Sequence, residues 1–157
     1  MLVAASVAVA VIGATAFALT RKHESVTGAS ADTSTLPSAT RSDFVANATS
    51  VCDEMFSDLG ALRDPQSISQ IEQDSSDRAE IYRTAATSLR NLAPPADDAV
   101  LVNDWISGIE TVAASQEGAA HAAYSQDLDA YTESLGQISS DLSSARSKGC
   151  ALDLSCP

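Results

Sequence analysis

Three cysteines, two histidines, a single tryptophan and two knots of carboxylates are the side chains from which this chain of 157 residues could build chemistry. Cys52, Cys150 and Cys156 contain no C-x-x-C pair, and no histidine stands near them at ligand spacing, so a zinc site is disfavoured. His23 lies in a Ser/Thr-rich stretch and His121 among alanines; a lone imidazole on an Ala-rich face is more often packed or solvated than a base. Met55 and His121 could bracket a haem or a copper ion, yet a methionine at helical spacing is more often core. Asp53, Glu54 and Asp58 can share part of one helix face, and Asp127, Asp129 and Glu133 recur later. Calcium needs six to eight oxygens from a shaped loop, and the chain has no such loop, so both groups read as solvated acidic faces. No nucleophile elbow, HExxH, P-loop or dinucleotide fingerprint occurs. None of the many serines has a neighbouring His and acid to activate it. The expectation is a non-enzymatic protein with no cofactor, no metal and no catalytic residue, and Trp105 as a buried anchor.

What the cysteines mean depends on the compartment. In an oxidising one, three cysteines read as one long-range disulfide plus one leftover thiol; in the cytosol they read as three inert core residues. Residues 1–20, MLVAASVAVAVIGATAFALT, carry no charged side chain and are just long enough to cross a bilayer as a helix. Ala14-Thr15-Ala16 and Ala16-Phe17-Ala18 look like signal-peptidase sites. No Cys follows the apolar run, which excludes a lipoprotein anchor. The nearest cations, Arg21 and Lys22, lie on the C-terminal side, and the positive-inside rule taken alone would keep that side in the cytoplasm. Export nevertheless fits the cysteines and the following segment better, with residues 1–20 either cleaved as a signal peptide or retained as an anchor. Residues 21–40 are rich in Ser, Thr, Ala and Gly, cannot bury enough surface to offset chain entropy, and read as a disordered stalk.

Residues 41–157 must supply the folded part. The chain is 45% hydrophobic but only 4% aromatic, with Ala prominent, which favours close-packed helices over a β-sandwich. Its formal charge of −12 repels phosphate and anionic headgroups; nucleic acid and the membrane surface are thereby disfavoured as partners, leaving the apolar N-terminal segment as the only membrane contact. The plainest reading of the charge is solubility.

Hydrophobic spacing from Ser42 onward is helical. Phe44, Ala48, Val51, Met55, Leu59 and Leu62 mark a first helix with Ser42 as its cap, ending at Gly60 and Asp64-Pro65. A second spans about 66–91, with Ile68, Ile71, Tyr82, Ala85, Leu89 and Leu92 on one face, and its apolar-free middle, Asp74 to Arg78, predicts a bend or a solvent-exposed turn. Pro94-Pro95 stops it. A third opens at Ala96-Asp97-Asp98 and carries Leu101, Trp105, Ile109, Val112, Ala119 and Ala123. A fourth, capped by Ser125, carries Leu128, Tyr131, Leu135, Ile138, Leu142 and Ala145 in heptad alternation and stops at Gly149. Asn47-Ala48-Thr49 is a sequon by pattern but falls inside a helix. Short connections imply an all-α, up-down-up-down four-helix bundle.

In that topology the start of the first helix lies beside the end of the fourth. Cys52 is about ten residues into its helix, roughly 15 Å from that end. Cys156, on a tail that can double back, reaches it more readily than Cys150, which is the alternative partner. Either bond closes a loop of about 100 residues, worth on the order of 4–5 kcal/mol in the chain-entropy account.

Phe44-Val45-Ala46 with Val51-Cys52, then Leu89-Arg90-Asn91-Leu92-Ala93-Pro94-Pro95 followed by Trp105-Ile106, then Ala145-Arg146-Ser147-Lys148-Gly149 with a near-terminal Cys, together resemble small secreted or membrane-anchored helical-bundle proteins of actinobacteria. The likeness covers roughly residues 42–156 through short motifs. It implies export, a helical fold and a disulfide from the first helix to the C-terminus, and no activity; the extra cysteine and longer tail depart from the pattern. The function expected is therefore an extracytoplasmic interaction module or accessory subunit with an envelope protein as partner. The alternative is a binder of a small apolar ligand between the helices.

Overall fold

The computed structural model describes residues 40–154, and the expected apolar segment and all of the expected stalk except Thr40 lie outside the described residues. Four helices form: α1 (Arg41–Ala61), α2 (Ile68–Arg90), α3 (Ala99–Tyr124) and α4 (Leu128–Ala151). A single 3-10 turn, Ala96–Asp98, leads into α3. No strand occurs among the described residues, and the all-α class expected from the spacing is observed. No helix among them is long and apolar enough to cross a membrane.

Three of the four α-helices start at a side-chain cap, and α3 instead follows the 3-10 turn without one. Thr40, not Ser42, caps α1: its hydroxyl accepts the Asp43 amide at 3.1 Å while the Asp43 carboxylate accepts the Thr40 amide, a reciprocal capping box. Ser67 caps α2 through the Gln70 amide. Asp127, not Ser125, caps α4, accepting the Ala130 amide at 3.0 Å. The difference arises because α3 ends in a left-handed turn. Gln126 has φ 56°, the Asp127 amide reaches back to the Ala122 carbonyl and the Gln126 amide to that of Ala123, the paired bonds of a Schellman motif.

Two further expectations are corrected. The apolar-free middle of α2 is unbroken helix. Ser75 and Ala79 turn inward there, 5% and 1% exposed, and Arg78 forks onto Asp74 one turn earlier at 2.7 and 3.2 Å. Nor does Gly149 stop α4. The helix continues to Ala151, Gly149 itself is buried, and the left-handed position falls on Asp153, φ 64°. The Leu154 amide bonds the Gly149 carbonyl and the Asp153 amide that of Cys150. This second Schellman turn exists because Leu152 and Leu154, 1% and 3% exposed, must fold back onto the core.

Packing is antiparallel wherever cross-helix contacts fix it. Arg83 pairs with Glu117 and Arg90 with Glu110 between α2 and α3. Ser115 meets Asp141, Gly108 meets Ala145 and Lys148 meets the Asp104 carbonyl between α3 and α4. Close backbone approach runs from α1 to α2, α2 to α3 and α3 to α4. The axes of α3 and α4 come close because Gly108 faces Ala145 with no side chain of its own between them. α1 approaches only α2 at the backbone level and joins the others through long side chains. Phe44, Cys52 and Met55 enter one cluster with Leu89, Trp105 and Ile109. At that end Arg41 ties three elements together. Its guanidinium donates to both oxygens of Asp98 at 3.0 and 3.1 Å, to Asp153 at 3.1 Å and to the Ala151 carbonyl at 3.4 Å. The start of α1 thus sits beside the end of α4.

Candidate functional site

The groups singled out for chemistry do not converge. Trp105 is fully buried and Met55 is 2% exposed, both in the core. His121 is exposed on the last turn of α3, and His23 lies outside the described residues. Asp53, Glu54, Asp58, Asp129 and Glu133 are all exposed, and Asp127 is the cap of α4. No group of three His, Cys, Asp or Glu among the described residues is placed to hold a metal ion.

The perturbed groups are structural pairs. The Arg90 guanidinium, forked on Glu110 at 2.8 and 2.6 Å, holds that carboxyl below its ordinary 4.5. Burial pushes the Tyr82 phenol above its ordinary range, against the opposing pull of Arg78 and Arg146. Among the described residues no deeply buried side-chain nitrogen or oxygen lacks a hydrogen-bond partner, so no interior polar group waits for a ligand.

Cys52 is 3% exposed on the inner face of α1. Cys150 carries a free, exposed thiol, so the alternative pairing of Cys52 with Cys150 is not made. Cys156 lies outside the described residues.

What sequence reasoning missed is at the end of the molecule away from Arg41. There the first turns of α2 and α4 and the last turn of α3 enclose a cleft of about 120 Å³, lined by Ile68, Ile71, Ala122, Ala123, Leu128 and Tyr131, with Gln126 and Asp127 at its edge. Six large apolar residues are left exposed among the described residues, and four of them lie at this end: Ile68 (54%), Tyr124 (71%), Leu128 (74%) and Leu135 (46%). α1 lines a groove with Ile81, Thr84, Ala85 and Ser88 of α2, and the loop that follows α1 runs beside Gln70, Gln73, Asp74 and Asp77. Leu128, Tyr131 and Leu135 are the opening half of the heptad stripe read as core; only its later half, from Ile138 to Ala145, is covered. Ile68 standing directly after its cap, apart from the Tyr82–Leu89 stripe, was the one signal that could have located the cleft.

No protein-family model, curated protein or solved structure matches this chain.

Proposed function

We propose that the chain is a non-enzymatic module of the cell envelope, exported from the cytoplasm and held near the membrane by its N-terminal segment, whose work is to bind another envelope protein. The observation that carries this reading is the apolar cleft walled by Ile68, Ile71, Leu128 and Tyr131, with exposed Tyr124 just before it on α3 and exposed Leu135 further along α4, on an otherwise acidic surface. Isolated apolar side chains on a surface need no explanation, whereas a contiguous group marks a contact site. Several ionisable groups, meanwhile, serve as caps and ion pairs: Asp43, Asp127, Arg78 with Asp74, and Arg90 with Glu110. Export is supported by the uncharged residues 1–20 and by the cysteines. Cys150 is left free, which favours Cys156 as the partner of Cys52. The resemblance to small secreted actinobacterial bundles points the same way.

The alternative, a small apolar ligand held between the helices, is less well supported. The apolar cleft lies at the end of the bundle and not within its core, and about 120 Å³ is well below the roughly 300–1,000 Å³ of a site that envelops a free ligand. It is nearer the roughly 150 Å³ that takes up one benzene ring. That size suits one side chain of a larger partner.

Photo-crosslinking in the intact envelope tests the proposal. A photoreactive residue at Tyr124 is expected to give a discrete adduct that solubilising the membrane before irradiation abolishes. Failure to crosslink from any exposed position on the bundle would remove the interaction role.

A further inference from the structure

We propose that the cleft at the open end of the bundle is the seat of a cationic amphipathic helix, one that lodges a leucine- or ring-sized side chain between α2 and α4 and sets Lys or Arg against the carboxylates around it. The inference rests on the interaction-module reading and names its surface and its partner chemistry.

The apolar part comes from geometry. Leu128, Tyr131 and Leu135 stand at i, i+3 and i+7 on α4, the spacing by which one helix receives another. Ile68 and Ile71 form the opposite wall from α2. Leu128 and Ile68 lie on the first turns of their helices and are both exposed.

The sign of the partner comes from charge. From Asn91 to Ala145 the sequence contains nine Asp and Glu and no Lys or Arg, so α3 and nearly all of α4 present carboxylates alone. Asp127 edges the cleft, Asp129 and Glu133 follow on exposed positions of α4, and Glu72 adjoins Ile71. Of the cations nearest the α2 wall, Arg78 is already forked on Asp74, and Arg63, in the loop before α2, lies among Asp64, Asp74 and Asp77. The positive dipole ends of α2 and α4 do not reverse the sign, because Ser67 and the Asp127 carboxylate cap them and the C-terminus of α3 adds the opposite dipole end. A second copy of this chain would bring the same carboxylates and a net charge of −12 to the contact. An anionic bilayer would be repelled in the same way. A basic helix with an apolar face satisfies both walls and rim.

The test uses the native, unreduced full chain and a fluorescent amphipathic peptide of about 18 residues, long enough to be helical, with a leucine stripe flanked by lysines. The control peptide has the same stripe flanked by glutamates. The lysine peptide is expected to bind at least about tenfold more tightly than the glutamate peptide, a difference of one decade in Kd. Its binding should weaken as salt shortens the screening length from about 10 Å at 0.1 M to about 3 Å at 1 M. Leu128→Ser and Ile68→Ser should each weaken it about tenfold, because each removes one wall of the seat. Val100→Ser, equally exposed but at the other end, should not.

Equal binding of the two peptides, no binding of either, or an equal effect of Val100→Ser would overturn the inference. So would stronger binding to phosphatidylglycerol vesicles, or a self-association of the chain that Leu128→Ser abolishes. Envelope crosslinks from exposed α1 positions such as Asp53, with none from Leu128, would overturn this surface while leaving the interaction module standing. Their absence everywhere would remove both.

Discussion

The two ends of the bundle are built on opposite principles. Where α1 begins, large side chains fill the interior: Phe44, Met55, Leu89, Trp105, Ile106 and Ile109 are each at most 2% exposed, and Arg41 fastens α1 to Asp98 and to the α4 terminus above them. At the other end the buried residues are mostly Ala119, Ala120, Ala122 and Ala123, and the large apolar groups face outward. Alanines bring helices close but bury little area, so this end adds little hydrophobic stabilisation. One end holds the fold; the other is free to offer a surface, and local stability should differ accordingly.

The largest contrast is expected from truncating one large side chain at each end. Trp105→Ala should cost about 3–5 kcal/mol, read by urea unfolding, as for other buried aromatics. Leu128→Ala should fall within about 0.5 kcal/mol, as for exposed positions. A comparable loss at Leu128 would mean that the open end is core after all. Thr40→Ala removes one half of the α1 capping box and should cost about 1 kcal/mol, with amide exchange quickening first in residues 41–44.

The two Schellman turns sharpen the comparison. Gln126 and Asp153 both occupy the left-handed position that favours glycine. At the open end Gln126→Gly should raise stability, because relief of left-handed strain, about 1–2 kcal/mol, exceeds the roughly 0.5–1 kcal/mol of glycine's added chain entropy. At the fastened end Asp153→Gly should gain less, because it also deletes the Arg41 contact. Equal gains would show that this contact contributes nothing.

The smallest effect is pH-linked. Arg90 lowers the Glu110 carboxyl below its ordinary 4.5, so the pair's contribution is present above that value and is lost as pH falls through the folded value. Arg90→Ala should flatten the acid limb of a stability–pH profile slightly, and added salt should erase the difference, since both side chains are half exposed.

How much of this was legible in the sequence follows the same division. The Trp105–Ile109–Val112 stripe and the Tyr82–Ala85–Leu89 stripe were readable because large apolar residues at helical spacing have one physical use, burial. Asp74 to Arg78 misled because Ser75 and Ala79 are small enough to pack and Arg78 and Asp74 satisfy each other one turn apart, neither of which hydropathy reports. Gly149 misled because the demand to bury Leu152 and Leu154 outweighed glycine's preference for the stop. Leu128 and Leu135 misled most usefully. Periodicity reveals an apolar face but not whether the fold supplies its partner, and here only the latter half of α4 has one.

The cysteines test the account most directly, since a fastened end and an exported chain both depend on them. On the proposed export and bond, protein isolated from its source cells without reductant, denatured and alkylated, should take up one label, on Cys150, and three after reduction. Labelling of Cys52 and Cys156 before any reductant is added would contradict both the bond and the compartment.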